Sequence, residues 1–299
     1  MPNEVECSLI TLLQNYVDKM LDNLGNKNEI KQEMVKTLTS CSFSQNMEIA
    51  NKSLDEGVNA LRSTGYCVLD VTARTSKKLY VGVSEISPFY LFFETGLVWN
   101  LALNLPYIPG SVIKGVLRSY MMDLCNKNEE CMSYVYEIFG VPEREMYKDE
   151  NVEVYVTGLD TSSSLLVALD SYPIKGERLL TGDIITPHYF KGGRVVKNEY
   201  EVEPVPSLRV VINEGVTFRF VIGVHQDALP LFQEWASYLG YTSGGMSFFL
   251  PLLYAFKQGI GAKTSRGYGE FELEDFSLVS FNFIKPKVVG NVRVRVNGR

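Results

Sequence analysis

Tyr107-Ile108-Pro109-Gly110-Ser111-Val112-Ile113-Lys114-Gly115-Val116-Leu117-Arg118-Ser119-Tyr120 reads as a sharp turn that feeds a helix. Pro109-Gly110 interrupts the preceding run, Ser111 is a favoured N-cap, and the apolar residues that follow recur at helical spacing. At about 100° per residue, Val112, Ile113, Val116, Leu117, Tyr120 and Leu124 share one half of the wheel, and Ser111, Lys114 and Arg118 share the other. The start of a helix exposes unpaired N–H groups and the positive end of its dipole, so a hydroxyl and two cations placed there suit an anion. A capped amphipathic helix with a solvated basic stripe has the same pattern, and the rest of the chain must decide between the two.

Upstream, Tyr66-Cys67-Val68-Leu69-Asp70-Val71-Thr72-Ala73 is β-branched and partly alternating, and reads as a strand. The apolar, aromatic run 89–99 reads as a strand or an extended segment leading into the turn. Downstream come the helix at 111–125, a short helix at 134–139 and a buried strand at Leu165-Leu166-Val167-Ala168-Leu169. Residues 216–223 alternate cleanly, and residues 208–212 are expected to pair with them across Asn213-Glu214-Gly215. Helices at 229–239 and 247–258, broken by Gly244-Gly245, precede a strand with an acidic exposed face, Gly269-Glu270-Phe271-Glu272-Leu273-Glu274. From residue 66 the order is β-α-β-β-α-β, an α+β class with the ferredoxin-like, split-βαβ topology.

Residues 1–64 carry apolar residues at three-and-four spacing, from Leu9 to Leu24, and then two more helical stretches, at 29–38 and 45–62. They form a helical N-terminal extension to a core at 65–284, with a tail at 285–299. The tail is basic, with Lys285, Lys287, Arg293, Arg295 and Arg299 and no acid after Asp275. Its stretch Val292-Arg293-Val294-Arg295-Val296 suits either an edge strand with a cationic face or a disordered end. Within the core, a polar insertion at about 171–207 holds Thr186-Pro187-His188-Tyr189-Phe190-Lys191-Gly192-Gly193-Arg194. Connections of that length are functional or disordered, and the aromatic and basic mix favours function.

The net charge of −6 and pI of about 5.2 exclude a protein coated in positive potential, although the charge is unevenly spread. No run approaches the roughly eighteen apolar residues of a membrane helix, and the start lacks a basic n-region, so a cytoplasmic protein is expected. Cys7, Cys41, Cys67, Cys125 and Cys131 include no C-x-x-C pair, and their spacing suggests neither a zinc site nor a disulfide framework. No metal or cofactor is expected.

Gly259-Ile260-Gly261-Ala262-Lys263-Thr264-Ser265-Arg266-Gly267-Tyr268-Gly269 sets two cations and two hydroxyls among glycines free to adopt positive φ, which suits contact with phosphate. It is not a nucleotide-binding P-loop. Ala262 stands where that motif needs glycine, and the loop runs from helix to strand instead of strand to helix.

Taken together, "YIPGSVIKGVLRS" at 107–119 resembles the Pro-Gly-Ser-x-x-Lys-Gly-x-x-Arg signature of the RAMP superfamily of CRISPR proteins. "GIGAKTSRGYG" at 259–269 resembles its C-terminal glycine-rich loop, about 150 residues further on. "GDIITPHYF" at 182–190 and "ETGL" at 94–97 narrow the resemblance to the sixth-subunit branch, from the Cmr complex of type III-B systems. The likeness spans about 65–280. It implies an RRM-like ferredoxin core and a backbone subunit that stacks with homologous RAMP subunits, and with a small helical subunit, along the 3′ part of a CRISPR RNA and its target RNA. By motif position, Gly110, Ser111, Lys114 and Arg118 become RNA-backbone contacts, facing Lys263, Thr264, Ser265 and Arg266 across one groove. Helix-end and loop N–H groups hold phosphate without reading bases, as a guide-binding protein requires. The insertion then resembles a hairpin pressed on the strands, with His188 and Tyr189 stacking on bases and Lys191 and Arg194 on phosphate.

The resemblance also implies how target RNA is cut, by an aspartate in a loop of a related subunit. Between the first strand and the signature helix this chain offers Glu85 and Glu94 but no aspartate after Asp70, so a non-catalytic subunit is expected. The alternative is an endoribonuclease using His188, or Asp183 with a metal. Asp170 and Asp183 read as structural or solvated acids, and His225, the other histidine, has no obvious acidic partner.

Overall fold

The computed structural model describes residues 5–22, 26–82, 87–93, 96–141, 152–156, 163–185, 190–191, 194–195, 206–241, 244–279 and 292–296. It mixes helix and sheet. The central antiparallel sheet is built from β1 (Tyr66–Thr75), β2 (Leu166–Ala168) and β3 (Tyr172–Lys175), with two strands from further along the chain. Between them, β4 (Leu180–Ile185) and β5 (Ser207–Ile212) form a separate hairpin. The remaining sheet strands are β6 (Thr217–His225) and β7 (Phe271–Val279), and the order is β7-β1-β6, with β2 and β3 both pairing along β6.

Both faces of this sheet are covered at its centre, which explains why β6 is almost continuously buried, whereas the edge strand β7 is largely exposed after Phe271. On one face α4 (Gly110–Leu124) is followed by α5 (Glu129–Phe139), α6 (Ala228–Tyr238) and α7 (Leu250–Gln258). Phe218 and Phe220 of β6 meet Phe256 and Phe271 there, with ring centroids 5.0–6.0 Å apart. The other face carries α3 (Ser44–Ser63), while α2 (Lys27–Ser40) packs on the β4–β5 hairpin and α1 (Leu9–Asp22) packs on α2. Leu61 of α3 packs on the backbone at Gly223. Arg219 reaches Asn51 and Asp55 of α3 while forming a two-pronged pair with Asp70. The Asp70 carboxylate, then that of Asp55, raises the affinity of Arg219 for its proton. Buried residues of the three helices join the same hydrophobic cluster as the sheet.

Several expectations change. Residues 208–212 pair with 180–185 and not with 216–223. Thr75 takes the turn between them, its hydroxyl donating to Asn213 O while its carbonyl accepts the Gly215 N–H, so the chain turns a corner instead of folding back. Tyr172–Lys175, placed within the insertion by sequence, belongs to the central sheet. Over the run 89–99, expected to be strand or extended, the described residues form a 3-10 turn, Pro88–Leu91, and the start of a two-residue strand, Trp99–Asn100. Helix α5 begins at Glu129, five residues before the expected 134, capped by the Asn128 side chain. Val292–Val296 is a strand, antiparallel to Val152–Val156.

The cysteines depart furthest from expectation. Cys7 is bonded to Cys41, and Cys125 to Cys131. Sequence spacing hides both pairs, because each depends on a helix hairpin. The α1–α2 hairpin returns residue 41 to residue 7, and the tight α4–α5 turn, with Asn126 and Lys127 at positive φ, brings 125 to 131. Cys67 is buried and unbridged.

Candidate functional site

Helix α4 starts one residue earlier than the sequence suggests. Pro109 takes the N-cap position, Gly110 is the first helical residue, and Ser111 is an exposed first-turn residue instead of the cap. The cap is supplied from a distance, by the Asp170 carboxylate, which accepts the Gly110 N–H at 2.8 Å. Asp170 thus has a structural role at the positive end of the α4 dipole. Gly110 is required by space: a Cβ there would lie 2.1 Å from Ala168 O.

The buried face of α4 is Gly110, Ile113, Leu117 and Met121. Lys114 and Arg118 flank it, half-buried. Burial lowers the affinity of Lys114 for its proton. The Arg118 guanidinium lies over the Tyr136 ring of α5, 5.1 Å from its centroid. Tyr120 leaves from the opposite flank, since two residues are about 200° apart on a helix. Its hydroxyl donates to Gly259 O at the start of the glycine-rich loop. Arg118 thus borders α5 on one flank of the helix, and the start of the loop meets Tyr120 on the other.

The glycine-rich loop is strongly constrained. Gly259, Gly261, Gly267 and Gly269 all have positive φ, and so does Lys263, at 63°. A non-glycine residue in that region is uncommon and marks a conformation imposed by its surroundings. The loop is pinned at both ends, by Ala262 N–H to Tyr80 O at 2.8 Å and Gly269 N–H to Lys78 O at 2.9 Å. Between the pins, Lys263 and Thr264 are half-buried and Ser265 and Arg266 exposed. Burial, then the charges of Arg209 and Arg266, pull the Lys263 pKa down, against a smaller opposite pull from Asp183.

Asp183, in β4, gathers the groups beneath the loop. Its carboxylate lies 3.2 Å from Lys78 Nζ and 3.6 Å from Arg209 Nε, and it accepts from the Tyr268 hydroxyl. Burial and that hydrogen bond push Tyr268 up to about 12. Lys78, Arg209 and Tyr268 were not identified by sequence reasoning. Lys78 and Arg209 belong to no motif, while Tyr268 lies in the glycine-rich loop but is neither a cation nor one of its small hydroxyls, and the one available signal for the others was the isolated charge of Asp183 and Arg209 at facing positions of two apolar strands.

Of the insertion residues, His188 and Tyr189 lie outside the described residues. Lys191 and Arg194 face each other in a short antiparallel pair, Phe190–Lys191 with Arg194–Val195. His225, expected to lack an acidic partner, has Asp227 Oδ2 3.4 Å from its Nδ1 and the Tyr66 ring edge-on. Among the described residues no group of three or more histidine, cysteine or acidic side chains converges as a metal site would require.

Comparison with known proteins bears on this geometry. The chain matches the family model of the RAMP superfamily over residues 88–272. A relative from Saccharolobus solfataricus, described as CRISPR system CMR subunit Cmr6, is 31% identical over 265 residues, spanning 88% of this chain and 77% of the relative. Among solved structures, a chain of the type III-B Cmr-beta bound to cognate target RNA, determined by cryo-EM, superposes with a TM-score of 0.62. It is 28% identical, and the match covers 85% of this chain and 74% of that one.

Proposed function

The chain belongs to the RAMP superfamily, with a Cmr6 subunit among its relatives, and from that premise we propose that it is a non-catalytic, RNA-binding backbone subunit of a type III-B Cmr ribonucleoprotein in antiviral defence. It holds the 3′ part of the CRISPR RNA and the duplex formed with target RNA, beside homologous RAMP subunits and a small helical subunit. The antiparallel order β7-β1-β6-β2/β3, with helical connections from β1 to β2 and from β6 to β7, supports reading the core as ferredoxin-like. The separate β4–β5 hairpin supports a hairpin-like insertion. No helix among the described residues is long and apolar enough to cross a membrane, and we read the site of action as the cytoplasm.

The observation that carries the RNA reading is the glycine-rich loop. It is pinned to Lys78 O and Tyr80 O and presents Lys263, Thr264, Ser265 and Arg266 over a base where cations outnumber carboxylates. Such a surface binds a phosphodiester and is indifferent to base identity. Ser111, Lys114 and Arg118 form a second contact on the other flank of α4, with Gly110, buried and bonded to Asp170, shaping the turn behind them, and the insertion residues His188, Tyr189, Lys191 and Arg194 form a third. Two contacts on opposite flanks suit a strand that passes across a subunit better than one that ends in it.

Against catalysis, Asp183 sits among Lys78, Arg209 and Tyr268, which oppose a metal cation. The test is incubation of the purified chain with end-labelled CRISPR RNA and a complementary target. Retention of both RNAs intact supports the scaffold role. Cleavage abolished by His188→Ala or Asp183→Ala establishes the endoribonuclease alternative in its place.

A further inference from the structure

The loop at Lys263–Arg266 rests in part on Lys78, Tyr80 and Arg209, which no sequence motif contains. Its pinned ends make it arch over residues 78–80, and from that segment Lys78 extends to Asp183. Beneath lies Arg209, whose side chain is only 2% exposed. Its guanidinium stacks 4.8 Å from the Tyr80 ring centroid, its Nε is 3.6 Å from Asp183 Oδ2, and none of its three nitrogens has a hydrogen-bond partner.

A buried guanidinium normally has its charge paired and its five N–H donors used. Among the described residues one carboxylate is shared among Arg209, Lys78 and Tyr268, so positive charge is left over. Lys263 adds a further cation from above, and burial, then the charges of Arg209 and Arg266, make it bind its proton less tightly. Among the described residues, Lys78, Arg209 and Lys263 thus gather around the one carboxylate of Asp183, an excess of positive charge that a further anion would balance. The ligand that suits them is an acceptor-only group small enough to meet an ammonium and the loop hydroxyls together, which describes a phosphodiester.

We propose that Lys78 and Arg209 extend the glycine-rich loop into one phosphate-binding subsite at the foot of the β4–β5 hairpin. Lys78 contacts a phosphodiester of the RNA backbone, and Arg209 is a positioning residue. Arg209 keeps Asp183 in place under the loop and contributes positive potential from below without touching the ligand. This rests on the RNA-binding reading above, and it ties the hairpin to the loop through Asp183, which lies on β4 while Arg209 lies on β5.

The experiment is fluorescence anisotropy of the full chain with a labelled single-stranded RNA of mixed sequence, over a salt series, for wild type, Lys263→Gln, Lys78→Gln, Arg209→Met and Arg209→Lys. Lys78→Gln is expected to weaken binding by about tenfold and to reduce the salt slope by about 0.7, as for one lost contact to a single strand. Arg209→Met is expected to weaken binding by several-fold, and Arg209→Lys, which restores the charge, to recover most of it. A purely structural arginine would lower the melting temperature in both variants alike and leave the slope unchanged. If Lys263→Gln weakens binding while Lys78→Gln matches wild type in affinity and slope, this subsite is refuted and the RNA reading stands. If wild type shows no salt-dependent RNA binding, the RNA reading itself fails. Should Arg209→Met not fold, Lys78→Gln alone decides.

Discussion

Two glycines of one helix should respond oppositely to the same substitution. In Gly110→Ala the new methyl would lie 2.1 Å from Ala168 O, 2.9 Å from Ala168 C and 3.2 Å from Leu169 C, all backbone atoms of the segment joining β2 to β3. Carbon contacts settle near 3.5 Å, so the start of α4 must back away by about 1 Å. That movement stretches the Gly110 N–H bond to Asp170. Overpacking costs about 3 kcal/mol, and a weakened bond to a charged acceptor adds about 1 kcal/mol. The better helix propensity of alanine returns about 1 kcal/mol. The net loss of about 3 kcal/mol, spread over an unfolding entropy of roughly 0.6 kcal/mol/K for a chain this long, lowers the melting temperature by about 5 °C. At Gly115 a Cβ meets nothing within 4 Å, and φ is helical, so Gly115→Ala should raise stability by about 0.5–1 kcal/mol. Calorimetry or circular dichroism on both variants checks the pair. A Gly110→Ala protein that melts with wild type, or a Gly115→Ala protein that melts as low as Gly110→Ala, refutes the packing argument. If Gly115→Ala is stable yet binds RNA poorly, the glycine serves a close approach of the ligand to the helix.

Opening the Cys125–Cys131 bridge should cost about 2 kcal/mol and opening Cys7–Cys41 about 4 kcal/mol, from loop closures of 6 and 34 residues, read as urea midpoints of the serine variants. Thiol titration of denatured chain should find one free thiol before reduction and five after it. Asp170→Ala, which removes the remote cap of α4, should destabilise by about 1 kcal/mol in urea. Arg219→Met leaves Asp70, whose side chain is 15% exposed, without its partner. It should cost about 3 kcal/mol and loosen α3 from the sheet, seen as faster amide exchange in residues 44–63.

The elements that were legible in sequence are those with a strong period. Tyr66–Thr75, Thr217–His225 and the helices α1 to α3 appear close to where alternation or three-and-four spacing puts them. The run 89–99 is apolar without period, and such a run suits a compact turn, with Phe89, Phe92 and Phe93 buried, as well as a strand. Residues 207–212 were recognised as a strand but given the wrong neighbour, since a short turn after Ile212 looks the same whether the chain folds back or turns a corner at Thr75. At the site, the two glycine-containing motifs carried the residues that present cations. What they could not carry was the geometry between them, which depends on Tyr120 and Arg118 leaving α4 on opposite flanks. The Lys78, Asp183 and Arg209 cluster was invisible because its members lie 105 and 26 residues apart along the chain and meet only when the β4–β5 hairpin packs beside the loop.

The most direct measurement of backbone recognition is the salt dependence of binding for three RNAs of unrelated sequence, with wild type, Lys114→Ala/Arg118→Ala and Lys263→Ala/Arg266→Ala. The expected result is one affinity for all three RNAs, with the slope of log K against log salt reduced by between one and two in each double variant. Affinities that diverge with RNA sequence, or slopes equal to wild type in both variants, would contradict a subunit that holds its guide by phosphates.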